Sequence, residues 1–425
     1  MSRIILHSDL NSFYANVECF SNPKIRNFPV VVGGDEELRH GIVLAKNERA
    51  KKYGIVTGEA VWQAKLKCPD LISVKPDFNK YLKFSRLTRQ IYERYTDQVE
   101  SFGIDECWLD VSGSTKLFGT GEKIANEIRE TIKREMGITA SVGVSYNKIF
   151  SKLGSDMKKP DAVTVISQDN YKDKVWNLPV GDLLYVGKST KKKLHKFGIQ
   201  TIGQLANSDL TSLTSRLGDW GYVLHTFANG NDVSPVKSKG EESFIKSVGN
   251  STTLHRNIET LADVKRVIYM LSESVASRLR EHGLKATTIQ ITVRDSFLMS
   301  CDRQAKLSHP SFLTTEIAEK ALDIFVKKYQ FNNPIRSIGV RATKLVPENK
   351  PTQLDFFTDH EKRLRLEILE KSIDDVRKRF GYQIIQRGII YEDRQLTGTN
   401  PKEEHTIHPI NYFDGKILTD YDLKL

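Results

Sequence analysis

Apolar and polar positions along the chain fall into alternating strand-like and helix-like stretches. Residues 1–10, with Ile4, Ile5 and Leu6 ahead of Asp9, read as a strand ending in an acid. Residues 11–77 form a mixed segment in which GIVLAKNERAKKYGI, 41–55, is the helical, basic part. LKFSRLTRQIYERYTDQV, 82–99, has helical spacing, and FGIDECWLDV, 102–111, is strand-like. GEKIANEIRETIKREMG, 121–137, is a second amphipathic helix with Gly137 as its C-cap, and ITASVGVS follows as a strand. Strand, helix, paired strands, helix and strand predict an α+β sheet with helices on one face.

Residues 168–234 read as all-helical, and the polar stretch DVSPVKSKGEE reads as a linker over its last residues, 235–242. Residues 243–347 alternate again: strand 243–252, helix 260–283, strand 286–295, helix 314–329, strand 335–345. That is a second α+β unit. Beyond it, residues 348–425 hold a Pro-containing extended piece and one more helix, 359–381. There Leu366, Leu369, Ile373, Val376 and Phe380 recur at three/four spacing, which suits core packing and partner packing equally.

The segment FGIDECWLD puts Asp105 and Glu106 side by side among apolar residues. Successive strand side chains point to opposite faces, and a buried carboxylate is costly unless paired or bound to metal. Either one acid faces solvent, or the chain bends and both serve one cation. With Asp9, three carboxylates from neighbouring strands could hold two Mg2+ ions, since Mg2+ takes one or two protein carboxylates plus substrate phosphate oxygens. The plainer reading makes Asp9 a strand-end residue and Glu106 a solvated one.

A chain of 425 residues exceeds one core, so roughly three or four domains are expected. No apolar run approaches the ~20 residues of a membrane helix, and the N-terminus lacks a signal peptide's long apolar region. Cys19, Cys68, Cys107 and Cys301 lie far apart without a CxxC pair, which suits a reducing cytoplasm and argues against zinc. A net charge of +11 favours nucleic acid or another anionic partner.

Three further stretches carry chemistry. LYVGKSTKKKLHKFGIQTIGQLA, 184–206, places Lys188, Lys191 and Lys192 behind a turn at Gly187. Backbone N–H groups there suit a phosphate backbone, as in a helix-hairpin-helix. SDMKKPDA, 155–162, sets Lys159 ahead of the helix-ending Pro160. PTQLDFF, 351–357, is an extended peptide with two aromatics beyond a domain, of the kind that docks into a partner's pocket. GGDEE, 33–37, looks like a diguanylate cyclase signature but lacks the aromatic and the preceding core, and an ordinary turn accounts for it.

Together these residues resemble the Y-family DNA polymerases of DinB/UmuC type, most clearly Gram-positive members. HSDLNSFYANVE is similar to the first metal motif of that family and SFGIDECWLDVS to the second. ASVGVSYNKIFSKLGSDMKKPDA resembles the segment that follows, 184–206 the thumb, KSVGNSTTL and IRSIGVRATKL the little finger, and QLDFF the clamp-binding peptide. The resemblance spans residues 1 to about 357. It implies an α+β right-hand polymerase: ferredoxin-like palm (1–10 and 78–167), fingers (11–77), helix-hairpin-helix thumb (168–234), little finger (243–347) and a tail.

The resemblance further implies low-fidelity, translesion, template-directed DNA synthesis from dNTPs on primer-template DNA, by a monomer working with the bacterial sliding clamp. Asp9, the Leu10 carbonyl, Asp105 and Glu106 would hold two Mg2+ ions: one lowers the pKa of the primer 3′-OH, the other holds the triphosphate. Tyr14, supported by Phe13, matches the steric gate against a ribose 2′-OH. Lys159, Lys51 and Asn47 would face the triphosphate. Gly187, Lys188, Lys191, Lys192, Lys246, Arg294, Arg336 and Arg341 would grip DNA phosphates, and Gln353, Leu354, Asp355, Phe356 and Phe357 the clamp. Three positions depart from the family: Asn11 replaces the usual second acid of the first motif, and Glu48 and Lys51 stand where many members carry tyrosine and arginine, with Lys46 or Arg49 as candidate substitutes. The competing reading is a non-catalytic DNA- and clamp-binding damage factor, against which the intact Asp9, Asp105 and Glu106 argue.

Overall fold

Six consecutive buried residues, Ile5–Leu10, form the central strand of the first sheet. A strand buried on both faces needs cover on both. The computed structural model describes residues 3–34, 41–238, 245–351 and 359–398. They divide into two compact units near residue 242.

In the first unit the strands run in the order Val99–Ser101, Glu106–Asp110, Ile5–Leu10, Ala140–Ser145, Val163–Val165. The central strand is antiparallel to both neighbours, with Asp9 opposite Glu106 on one side and Ser141 on the other. Alternation decides the faces. Leu6 and Leu10 join a core with Ile91, Ile124, Ile128 and Ile132 of the helices Phe78–Tyr92 and Gly121–Met136. His7 and Asp9 point the other way, to Ser155 and Lys152 of the helix Lys148–Met157. The sequence pattern predicts helices on one face; the structure adds this third helix on the opposite one. Gly143 admits it, because a Cβ there would collide with the Ser151 carbonyl.

Residues 41–55, expected to be helical, form a strand, Val43–Lys46, and a short helix, Glu48–Lys51. The strand pairs with Val30–Gly33 in a three-stranded sheet. Sheet pairing here outweighs the helix propensity of the Ala and Lys residues. Residues 171–228 are helical around a separate core of Leu194, Ile202, Leu205, Leu213 and Leu224.

The second unit has a four-stranded antiparallel sheet, ordered Ser300–Ser311, Leu284–Asp295, Ile335–Pro347, Ser247–Ile258. Helices Leu261–Glu281 and Thr314–Lys328 supply its core with Val267, Leu271, Ile317 and Phe325. The edge strand Ser300–Ser311 escapes the sequence reading because it is largely exposed, polar on most positions and contains Pro310.

The tail helix His360–Phe380 docks on this unit by its charged side. Arg280 pairs with Glu370 at 3.0 Å and Asp374 at 2.5 Å, and Arg377 with Glu273 at 3.0 Å. The apolar stripe read from the sequence stays largely outside, with Leu369 53% and Phe380 69% exposed.

Candidate active site

The central strand ends in a sharp turn, where Ser12 adopts φ 45° and ψ 41° before the helix Phe13–Ser21. Opposite it, residues 102–105 bend before the strand Glu106–Asp110 begins, with Gly103 at φ 92°, a region open chiefly to glycine. The Asp105 carbonyl accepts from the Leu10 amide at 3.1 Å. The bend is why adjacent acids both reach the end of the central strand. Asp9, Asp105 and Glu106 line one cavity of about 320 Å3 together with Leu10, Ser12, Phe13, Tyr14, Lys46, Lys51 and Lys159.

The acids are electrostatically unlike. Burial, reinforced by Asp9 and Glu106, pushes the Asp105 carboxyl up to about 7. Glu106 is held below its ordinary value: burial alone would raise it, but the adjacent His7 imidazole and the Lys152 ammonium outweigh that. Lys152 Nζ lies 2.9 Å from Glu106 Oε2, 3.4 Å from Asp9 Oδ2 and 3.1 Å from Asp156 Oδ2. Lys159 Nζ lies 2.7 Å from Asp9 Oδ2 and 2.9 Å from Asp156 Oδ1. Two ammonium groups thus neutralise the carboxylates from one side. Among the described residues, no three His, Cys, Asp or Glu side chains converge closely enough to hold an ion unaided. The donor set nonetheless fits Mg2+, which takes hard oxygens from one or two carboxylates and the rest from substrate and water. The raised Asp105 carboxyl registers an excess of negative charge that a cation would relieve.

Tyr14 is fixed by an aromatic stack. Its ring lies 4.4 Å from that of Tyr81 at 13° and meets Phe78 edge-on at 5.9 Å. Phe13 sits beside it at 5.6 Å. Tyr81 is itself held by its hydroxyl, which donates to Glu18 at 2.8 Å. The Tyr14 ring is therefore backed by a rigid wall, as a steric filter would require.

Three lysines reach the cavity: Lys159, Lys51 and Lys46, the last donating to Thr57 Oγ1 at 3.1 Å. Asn47 does not line it, which corrects its assignment to the nucleotide. Its Oδ1 accepts from the Ala50 and Val30 amides at 2.9 and 3.1 Å, and its Nδ2 donates to the Phe28 carbonyl at 2.9 Å. The amide is consumed by the surrounding backbone of residues 28–50. Glu48 accepts from Ser12 Oγ at 3.1 Å and pairs with Lys51 at 2.5 Å. It competes with any anion for Lys51. Both side chains are about two-fifths exposed (43% and 38%), so the pair is worth only ~0.2–1 kcal/mol. Glu48→Gln is accordingly expected to lower the KM for dNTP by about 1.5- to 5-fold with little change in kcat. Steady-state insertion kinetics check this, and a raised KM would instead make Glu48 a nucleotide-binding group.

Asn11, at the position of the family's second acid, is buried and donates to Ser141 Oγ at 3.0 Å; its Oδ1 accepts from the Asp161 amide at 2.9 Å. It ties the strand end to the loop behind Lys159. Lys152, His7, Tyr81 and Phe78 are the site residues that sequence reading missed. For Lys152 a signal existed, since Lys152 and Asp156 are spaced i, i+4 on the helix that leads to Lys159.

Gly187, Lys188, Lys191 and Lys192 are all exposed at the start of the helix Lys188–Lys196. In the second unit Arg341 and Arg294 are exposed, on the sheet face turned away from the helices; Gly249 lies opposite Arg341 and leaves room for its side chain. Lys246 is exposed just ahead of its strand, while Arg336 is only half-buried near a strand start and follows the opposite alternation. Gln353, Leu354, Asp355, Phe356 and Phe357 lie outside the described residues.

Comparison with known proteins bears on all of this. Residues 8–156 match the impB/mucB/samB family, residues 245–356 the C-terminal domain of that family, and residues 181–232 the thumb domain of DNA polymerase-iota. The chain is 57% identical over 396 residues to a DNA polymerase IV of Acetivibrio thermocellus, covering 93% of this chain and 99% of the relative. A DNA polymerase IV of Clostridium acetobutylicum is 36% identical over 93% of this chain and 100% of its own. Among solved structures, a Y-family DNA polymerase chimera superposes with a TM-score of 0.71 at 24% identity, over 81% of this chain and 99% of the other. The chain therefore belongs to the impB/mucB/samB family, the DinB-type Y-family DNA polymerases.

Proposed function

We propose that this DNA-directed, translesion DNA polymerase performs nucleotidyl transfer at the cavity bounded by Asp9, Asp105 and Glu106. One observation supports the reading above others: three carboxylates, two from neighbouring strands and one from the bend beside them, share one cavity with three lysines and the Tyr14 ring. Two Mg2+ ions, when bound, supply the Lewis acidity that activates the primer 3′-OH and stabilises the leaving pyrophosphate. Asp9, Asp105, Glu106 and the Leu10 carbonyl would hold them. Lys159, Lys51 and Lys46 bind triphosphate oxygens as point charges. Tyr14, stacked on Tyr81, rejects a 2′-OH. The thumb lysines and the exposed little-finger arginines grip DNA phosphates, so binding is sequence-independent and weakens steeply with salt.

The two-metal step is tested with an Rp α-thio dNTP. Poor insertion with Mg2+ and recovery with thiophilic Mn2+ or Cd2+ is expected; no recovery would overturn that step and leave the family assignment standing.

Residues 353–357 are the proposed contact with the bacterial sliding clamp, and the polymerase itself is proposed to be a cytoplasmic monomer. No described helix is long and apolar enough to cross a membrane. Replacing Phe356 and Phe357 with Ala is expected to abolish clamp-stimulated synthesis and spare basal extension. Equal stimulation of the variant would sink the clamp assignment.

A further inference from the structure

The tail helix His360–Phe380 has no part in the chemistry above, and it packs the opposite way from an ordinary amphipathic helix. Leu366, Leu369, Ile373, Val376 and Phe380 step by three and four, the a and d positions of a heptad seam. None of them belongs to the apolar core of the second unit. Leu366 is 38%, Leu369 53% and Phe380 69% exposed.

What turns inward is charge. Glu370 and Asp374 are buried against Arg280, and Arg387 reaches Glu370 at 2.7 Å and Glu273 at 3.3 Å. The Tyr382 hydroxyl donates to Glu273 at 3.0 Å, and Arg363 meets Glu316 at 3.0 Å. A buried ion network gains little over apolar packing, yet breaking it is costly. It therefore fixes which side of the helix is turned out.

A contiguous apolar face at the surface marks an interaction site. A stripe confined to a and d positions is the narrow seam of a coiled coil. Its two flanks differ. The e positions, Glu370 and Arg377, are tied to the body of the unit. The g positions, Arg365, Ser372 and Arg379, are all exposed. Arg365 meets only the exposed Glu361, at 3.3 Å, and Arg379 makes no ion pair among the described residues. The open flank is basic.

We propose that this seam receives an acidic amphipathic helix from a partner protein, with apolar residues at its own a and d positions and Asp or Glu beside them. Charge selects that occupant. An antiparallel second copy would set Arg365 against Arg379, and a parallel one would need the e positions that the body already holds. Acids opposite Arg365 and Arg379 instead complete pairs that the chain leaves open.

The test uses the full chain and a labelled three-heptad peptide with Leu at a and d and Glu at e and g, whose own charges keep it from self-pairing. Its twin carries Lys at e and g. Fluorescence anisotropy at low salt should show saturable binding of the Glu peptide, with the Lys peptide about tenfold or more weaker. Leu369→Ser with Phe380→Ser should weaken the Glu peptide about tenfold or more and leave basal primer extension unchanged. Both positions are more than half exposed, so the fold does not depend on them. Arg365→Glu with Arg379→Glu should reverse the preference in favour of the Lys peptide. Equal binding of the two peptides, indifference to the serine changes, or a preference that survives the charge reversal would overturn the inference. A photo-cross-linking residue in place of Leu369 identifies the occupant directly. An adduct with the Glu peptide is expected; one with a second copy, with residues 399–425 of the same chain or with the lipid of added anionic vesicles would overturn the partner assignment.

Discussion

Asp105→Asn is expected to abolish nucleotide insertion while making the metal-free protein more stable at pH 8. The rate should fall because a carboxylate proposed to hold metal is lost, a deficit of several kcal/mol or at least about 10³-fold. Stability rises for the opposite reason. Burial and two neighbouring acids raise the native Asp105 carboxyl to about 7. The native state thus binds this proton more tightly than the unfolded chain does. Its stabilising contribution is complete below an ordinary carboxylate pKa and is lost as pH rises through about 7. At pH 8 the wild type carries a strained, ionised carboxylate; the asparagine does not. The gain should be about 1–3 kcal/mol, a few degrees in Tm. Melting curves without metal at pH 5 and pH 8 check it: the wild type should lose stability relative to the variant across that interval. Parallel curves would mean that Asp105 is not under electrostatic load.

Tyr14→Ala carries the second large effect. The Tyr14 ring is pinned between Tyr81 and Phe78 and cannot swing aside for a 2′-OH. Overpacking a filled site costs ~1–3 kcal/mol, occasionally more. Removing the ring should therefore relax discrimination against ribonucleotides by about 10- to 100-fold or more, while dNTP insertion persists. The ratio of kcat/KM for dNTP over rNTP is the measurement. An unchanged ratio would remove Tyr14 as the gate. Tyr81→Ala should move the ratio partway, since it unseats the ring without deleting it.

Much of the site was legible because its residues sit in short local runs. Asp9, Phe13 and Tyr14 cluster at one strand end, and Asp105 and Glu106 adjoin in a segment whose apolar flanks make them anomalous. What stayed hidden was cross-strand or cross-face. His7 acquires meaning only from the register that sets it diagonal to Glu106, and no local pattern encodes register. Lys152 looked like one more basic residue until Gly143 let its helix lie against the central strand. Asn47 misled for another reason. An asparagine beside a ligand-binding turn and an asparagine that caps the turn are identical in sequence, and only the Ala50, Val30 and Phe28 contacts distinguish them. In the second unit, an exposed edge strand carries no apolar alternation to read. The tail helix reversed its pattern outright: its charged side faces inward because Arg280, Arg377, Glu273 and Asp374 pair there, and its apolar stripe does not supply the contact.

Single-nucleotide insertion on a primed template tests the central claim most directly. Each dNTP is offered alone against each template base, with Mg2+ and with chelator. The account predicts insertion that follows the template base, tolerates some mispairs, and disappears with chelator or with Asp105→Asn. A folded, DNA-binding wild-type protein that inserts nothing, or inserts regardless of template, would contradict it.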